Sequence, residues 1–401
     1  MNWKMAVMAL GILSLTVSCE KEPDPETESA DLAGELTGAK TLKTGMTYTL
    51  SGGLHVKAGG VLTIEPGVIV VAKDDDIVDY ILVEQGGTIQ AQGTAQKPIV
   101  MTSEKKEPGA WGGVHICGRA PINVTGTQSK SEIGDALYGG NDPADNSGRL
   151  SYIRLEYTGY AFSEEKEANG FTFYGVGNGT VVDHLQSYKG SDDGFEWFGG
   201  TVNVKYLVAT DNSDDSFDWT EGWRGKGQFL VAVQGAESII GYECDCLIEA
   251  DNNSKDFSAQ PVSFPVLANL TLSGNGSNLN KRGIRLRAGT YVKIYNALVF
   301  GKPNSLTTET TETESSLVNN ISVLDNIYLS GTVSPAAGLY SEDLFITGSN
   351  NKIHYDLSFM TGYVGSVPGG VDMKQEDPFF TSTDYAGAVP SGNDWTEGWC
   401  K

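Results

Sequence analysis

Positive charge is scarce in this 401-residue sequence: 28 lysines and arginines stand against 51 aspartates and glutamates, a formal net charge of −23. So acidic a chain repels phosphate, which excludes a nucleic-acid partner. Histidine occurs only four times and cysteine five. No second close Cys/His pair accompanies Cys244-Asp-Cys246, which argues against a zinc site. Long helical periodicities are missing. A strict G-x-y period is missing too, so collagen is excluded although glycine supplies 50 residues. The apolar run Met5–Val17 is too short to span a bilayer comfortably. What remains is a β-rich chain of short apolar runs cut by Gly, Asn and Asp.

The first forty residues carry an address. Lys4 followed by Met5–Val17 reads as a signal peptide over residues 1–18. Leu15-Thr16-Val17-Ser18-Cys19 resembles a lipobox, with Thr16 where leucine is usual, and makes Cys19 the expected lipid-bearing residue. The run Glu20-Lys-Glu-Pro-Asp-Pro-Glu-Thr-Glu-Ser29 has no apolar residue to bury, so residues 19–40 are expected to be an acidic tether. Its acidity resembles the surface-export signal of Bacteroidota lipoproteins. The expected location is therefore the outer membrane, lipid-anchored and facing the exterior, with residues 41–401 as the folded domain. Cys117, Cys244, Cys246 and Cys400 are free thiols or disulfides; the sequence leaves their pairing open.

The folded part repeats. Gly59-Gly60 aligns with Gly86-Gly87 at an offset of 27, with Asp74-Asp-Asp76 as an insertion. Asp192-Asp193-Gly-Phe195-Glu196-Trp197-Phe-Gly-Gly200 aligns with Asp214-Asp215-Ser-Phe217-Asp218-Trp219-Thr-Glu-Gly222 at 22, and Thr180–His184 with Thr201–Lys205 at 21. A period in the low twenties suits coils of a β-solenoid. Leucine-rich repeats lack their signature here, and a propeller needs units near forty residues; a two-sheet sandwich is the structural alternative. Two loops are expected off the coil, at Tyr138–Gly148 and at the polar run Thr307–Glu314.

Together, Gly112-Gly-Val-His-Ile-Cys-Gly-Arg-Ala-Pro-Ile122-Asn123, the Tyr138–Gly148 loop, the Asp192–Gly200 unit and the final Asp-Trp-Thr-Glu-Gly-Trp resemble Bacteroidota cell-surface lipoproteins of the right-handed parallel β-helix type. The resemblance spans roughly residues 41–401. It implies the fold and brings no settled activity.

If the coils stack in register, Phe195 lies over Phe217 and Trp197 over Trp219, with Glu196 and Asp218 paired on the opposite face. Asp192/Asp214 and Asp193/Asp215 add two like-charge pairs. These six carboxylates form a candidate site for a hard cation such as Ca²⁺; turn capping by Asp is the competing reading. Glycosidase chemistry needs paired acids, yet the Asn-Thr-Asp, Gly-His-Gly and Arg-Ile-Lys motifs of β-helix pectinases are missing. His184 reads as a packing or surface residue. Arg285 and Arg287 share a strand face, as candidate ligand-binding groups or as partners of Glu249 and Asp251. Asp-Trp-Thr-Glu-Gly-Trp occurs twice, at Asp218–Trp223 and Asp394–Trp399. Trp223 and Trp399 are candidate sugar-stacking residues; alternatively the second copy closes the C-terminal end of the solenoid. The favoured reading is a surface protein that binds an extracellular glycan without catalysis, with an outer-membrane transport protein as a possible partner. The alternatives are a Ca²⁺-dependent polysaccharide lyase or glycoside hydrolase at Glu196/Asp218, and a structural or adhesive surface protein.

Overall fold

The computed structural model describes residues 31–401 apart from 164–165, 278, 280–281 and 348. The expected signal peptide and Cys19 lie outside the described residues. Twenty-three strands form a single sheet wound into a right-handed parallel β-helix. The coil begins earlier than expected. Strand Asp31–Leu36 and the first half of strand Ala39–Leu42 fall within the stretch assigned to the tether, and Leu32 is fully buried in the core.

One face of the solenoid is built by strands Tyr80–Val83, Val114–Cys117, Phe171–Tyr174, Phe195–Phe198, Phe217–Thr220, Ile248–Ala250, Arg282–Leu286 and Asn304–Thr308, each pairing with the next. Alternation sends Phe171, Phe173, Phe195, Trp197, Phe217 and Trp219 into the core, all within 1% of complete burial. The offset of 22 holds: Phe195 pairs with Phe217, and their rings stack with centroids 5.5 Å apart. The offset of 27 also holds, Val61 pairing with Thr88. The offset of 21 does not. Asp183 pairs with Lys205, so this coil too has 22 residues; Val204, not Asn203, is the buried residue opposite Val182.

The other two faces are the halves of longer strands, among them Gly148–Glu156, Val181–Tyr188, Asn203–Thr210, Lys226–Val233, Val266–Ser273, Lys293–Phe300 and Val323–Leu329. Each bends at one residue of positive φ: Tyr152, His184, Tyr206, Phe229, Asn269, Asn296 and Asn326. A non-glycine residue in this region costs about 1–2 kcal/mol, and the corner column offsets that cost by mutual contact. The rings of Tyr152, His184, Tyr206 and Phe229 stack at 4.1, 4.3 and 4.8 Å, which makes His184 a packing residue. The asparagines use their amides instead, Asn326 donating to Asn296 at 2.8 Å and Asn269 to the Tyr385 carbonyl at 2.9 Å.

The chain after residue 360 runs back along this corner. Trp399 meets Tyr152 and Trp395 meets Tyr206 edge-on, at 5.7 and 5.1 Å. Arg154 donates to the Trp399 carbonyl, the Lys401 amide donates to Gln186, and Lys401 Nζ pairs with Glu156. The second hexapeptide therefore does not close the end of the solenoid; it lies on the flank of coils formed by residues 148–210. The Thr307–Glu314 run is not an exposed loop either. It completes strand Asn304–Thr308 and opens helix Thr311–Val318, with Thr307, Thr308 and Glu314 buried. Glu314 accepts from Thr308 Oγ1 and from the backbone amides of Ala337, Leu339 and Tyr340, which holds the carboxylate inside.

Candidate functional site

Outward positions on the face that carries the aromatic core form a continuous column in register: His115, Thr172, Glu196, Asp218, Glu249, Arg285 and Thr307. Glu196 and Asp218 are thus neighbours on adjacent strands because Phe195/Trp197 and Phe217/Trp219 occupy the inward positions. Two covering segments fold over this column. The loop 119–147, tied down by Tyr138 against Tyr174 at 4.9 Å, brings in Glu132. The hairpin of Ala161–Ser163 with Lys166–Glu167 brings in Glu167.

The result is a cavity of about 220 Å³ lined by Glu132, Glu167, Asn169, Asp192, Asp193, Glu196, Asp214 and Asp218. Seven carboxylates line it, and among the described residues no lysine or arginine does. Within it, oxygens of Glu167, Asp192 and Asp214 lie within 4.8 Å of one another, and so do those of Asp193, Glu196 and Asp218. Two unit charges at that separation repel by about 3 kcal/mol at an effective dielectric near 20. Some contacts compensate: Asn169 Nδ2 donates to Glu196 Oε2 at 2.5 Å, Tyr174 Oη to Glu132 at 3.0 Å, and the Asp215 amide to Asp193 Oδ1 at 2.9 Å. Asp218 Oδ1 is closed off from solvent and has no hydrogen-bond partner among the described residues.

Burial first, and neighbouring carboxylates second, hold Asp192, Asp193, Glu196 and Asp218 well above the usual carboxylate range. Loss of hydration pushes Asp214 up to about 6, with Asp245 and Glu249 adding to it, and Glu132 up to about 7, where Tyr174 opposes the rise.

Five of the six sequence-predicted acids line this cavity. Asp215 sits behind the wall, where its Oδ1 accepts from the Cys246 amide at 2.6 Å, and its carboxylate approaches those of Asp193/Asp214 and Asp218/Glu249 within the same 4.8 Å limit. Sequence reasoning missed Glu132, Glu167 and Asn169. Asn169 had a signal: Asn169-Gly-Phe171 repeats Asp193-Gly-Phe195, and Phe171 pairs with Phe195.

The aromatic and arginine candidates are corrected. Trp223 is fully buried, stacked on Trp197 at 4.4 Å with its Nε1 donating to the Val202 carbonyl. Trp223, not Trp219, is thus the ring that stacks on Trp197. Trp399 is also fully buried, under the corner-packing tail. Neither presents a face to a sugar. Arg285 is held by Glu249 at 2.5 Å and Glu309 at 2.9 Å, and Arg287 by Asp251 at 2.6 Å and by Glu249. Both guanidiniums serve internal ion pairs and are not free for a ligand. All four described cysteines are free thiols; Cys117, Cys244 and Cys246 are buried.

A second cavity, about 440 Å³, opens on the same sheet face on the other side of loop 119–147, over Phe198, Thr220 and Glu221. Two others, of about 490 and 540 Å³, lie beside helix Thr311–Val318 and around His55/Glu84.

A family described as a pectate-lyase-like β-helix domain matches residues 34–400. Neither a curated protein nor a solved structure matches the chain.

Proposed function

The chain belongs to the pectate-lyase-like β-helix family, and from that premise we propose that it is a surface lipoprotein, anchored through Cys19, that binds an extracellular glycan with the help of a calcium ion held in the acidic cavity. The observation that carries this reading is the wall of seven carboxylates with, among the described residues, no cationic side chain in it, and with Asp218 Oδ1 buried and unpartnered. Oxygen-only donors at this density suit a hard cation with flexible coordination. A bound cation neutralises the mutual repulsion and leaves coordination positions for a carboxylate or hydroxyl of the glycan. Asp192, Asp193, Glu196, Asp214 and Asp218 are the proposed ligands, with Glu132 and Glu167 closing the site from above. The reading is one of binding without catalysis at this cavity: a lyase needs a free base beside the cation, and Arg285 and Arg287 are each shared between two carboxylates.

The test is calorimetric titration of the protein with calcium chloride after chelation, beside an Asp214→Asn/Asp218→Asn variant. Saturable binding that the variant loses supports the site. No binding at millimolar calcium sinks it and returns these carboxylates to turn and structural roles. One feature favours a second reading, hydrolysis: burial pushes Asp214 up to about 6 and Glu132 up to about 7, towards the range in which a general acid works. Release of reducing ends from a polysaccharide, lost in Glu196→Gln, would establish that alternative.

A further inference from the structure

The repeat that builds the acidic cavity changes at two positions, and the change opens the neighbouring cavity. Where one coil reads Phe198-Gly199-Gly200, the next reads Thr220-Glu221-Gly222. Phe198 belongs to an aromatic column and stacks on Tyr174 at 4.7 Å. Its register partner on the other side is Thr220. The small side chain ends the column and leaves the far side of the Phe198 ring facing the 440 Å³ cavity. One residue on, Gly199 has φ +64° and Glu221 has φ +52°. Glycine adopts this conformation freely and glutamate does not. A strained glutamate kept where the preceding coil uses glycine points to a role for its side chain. Tyr138 donates to Glu221 Oε2 at 2.8 Å and fixes the carboxyl at the cavity wall.

The chemistry of this cavity differs from that of its neighbour. Its lining carries the hydroxyls of Thr125, Ser129, Thr220 and Ser254, with Glu221, Lys255 and Asp256 as its charged groups; Lys255 opposes the rise that burial gives the Glu221 carboxyl. Asn123 and Asn253 hold the two walls together, Asn253 Nδ2 donating to Asn123 Oδ1 at 3.1 Å and Asn123 Nδ2 to Asn252 Oδ1 at 2.7 Å. An apolar ring face surrounded by hydroxyls, two carboxyls and one ammonium, a formal net charge of −1, matches a ligand with one apolar face, many hydroxyls and no anionic group. We infer that this cavity binds an uncharged pyranoside, stacked on Phe198 and hydrogen-bonded to Glu221, without need of a cation. The inference rests on the reading of the protein as a glycan binder, but not on the calcium site.

The test is titration of the protein, in chelator, with neutral hexaoses of gluco, galacto, manno and xylo configuration. Binding of at least one is expected. Thr220→Phe extends the aromatic column into the cavity and should weaken that binding at least tenfold with the melting temperature kept. Glu221→Gly should also weaken it at least tenfold, and should raise the melting temperature because the strain is relieved. No binding by any hexaose, or undiminished binding by Thr220→Phe, overturns the proposal. Because chelator is present throughout, failure of the calcium site does not alter this result. In a separate titration with calcium in place of chelator, binding of polygalacturonate, with no neutral hexaose bound under either condition, would support the acidic cavity and refute this one.

Discussion

Glu249 and Arg285 are register partners on adjacent parallel strands, and the guanidinium meets the carboxylate at 2.5 Å. Their pairing ends the acidic ladder: Glu196, Asp218 and Glu249 follow one another in the outward column, and the next coil answers with a cation. Arg285 simultaneously holds Glu309 from the coil beyond, so one side chain ties three coils.

Removing that cation leaves Glu249 buried, next to Asp218 and with one of its two guanidinium partners lost, Arg287 remaining. Arg285→Ala is expected to lower stability by about 3 kcal/mol, the order found when one member of a buried pair is lost. Arg285→Lys should recover little of it, because an ammonium cannot bridge two carboxylates in the planar geometry of the guanidinium. Urea unfolding of both variants measures the difference.

The acidic cavity sets a pH dependence of unusual sign for carboxylates. Its acids titrate higher in the folded protein than in the unfolded chain, because burial disfavours their charged forms. The folded state therefore binds more protons between about pH 4 and 7, and stability falls as pH rises through that window. In chelator the melting temperature should decline from pH 4 to pH 7; in millimolar calcium the decline should flatten. Asp214→Asn/Asp218→Asn should show a shallower decline and no calcium effect. A melting temperature that rises with pH in chelator would contradict the burial of these charges.

Trp223→Ala should act on stability rather than on ligand binding. The side chain lies between Trp197 and Trp219 in the core, at 4.4 and 5.8 Å ring separation. Its loss is expected to cost about 3–5 kcal/mol, read by denaturant titration. Affinity for any bound saccharide should stay within a few-fold in the folded fraction.

The returning tail is expected to be a clasp. Trp399→Ala removes the ring that covers Tyr152 and His184 and should cost about 3 kcal/mol or more. Limited proteolysis should then cut first between residues 387 and 401, and tyrosine fluorescence should report exposure of the corner stack.

Much of this fold was legible in the sequence. The Asp-x-Phe-x-Trp units repeat at one spacing, so their strand register and inward face could be counted off. The partners of Glu196 and Asp218 were harder to find. Glu132 and Glu167 arrive on insertions of unequal length, and no period places them over a given coil. The two copies of Asp-Trp-Thr-Glu-Gly-Trp misled for a related reason. Six identical residues fix local chemistry but not what packs against them: Asp218–Trp223 is a strand and its exit turn, whereas Asp394–Trp399 lies against a distant flank. Trp223 and Trp399 are buried in both settings because each finds an aromatic neighbour. The ion pairs of Arg285 and Arg287 with Glu249 and Asp251 were readable as one of two options. The register decided between them, since equal alternation on paired strands sets these side chains opposite one another.

Stacked coils ordinarily feel only their immediate neighbours, so such a chain can fray from an end one turn at a time. The hydrogen bond from Arg154 to the Trp399 carbonyl joins residues 245 positions apart. It closes the longest loop among these contacts and ties the C-terminal tail to the coil of Gly148–Glu156. Peeling of the turns near Val323–Leu329 must also work against the grip on Gln186 and Glu156, because the intervening backbone is laid along Asn296, Asn269 and Gln228. The array is therefore expected to melt as one cooperative unit instead of unravelling, at the cost of slow closure over a long stretch of chain.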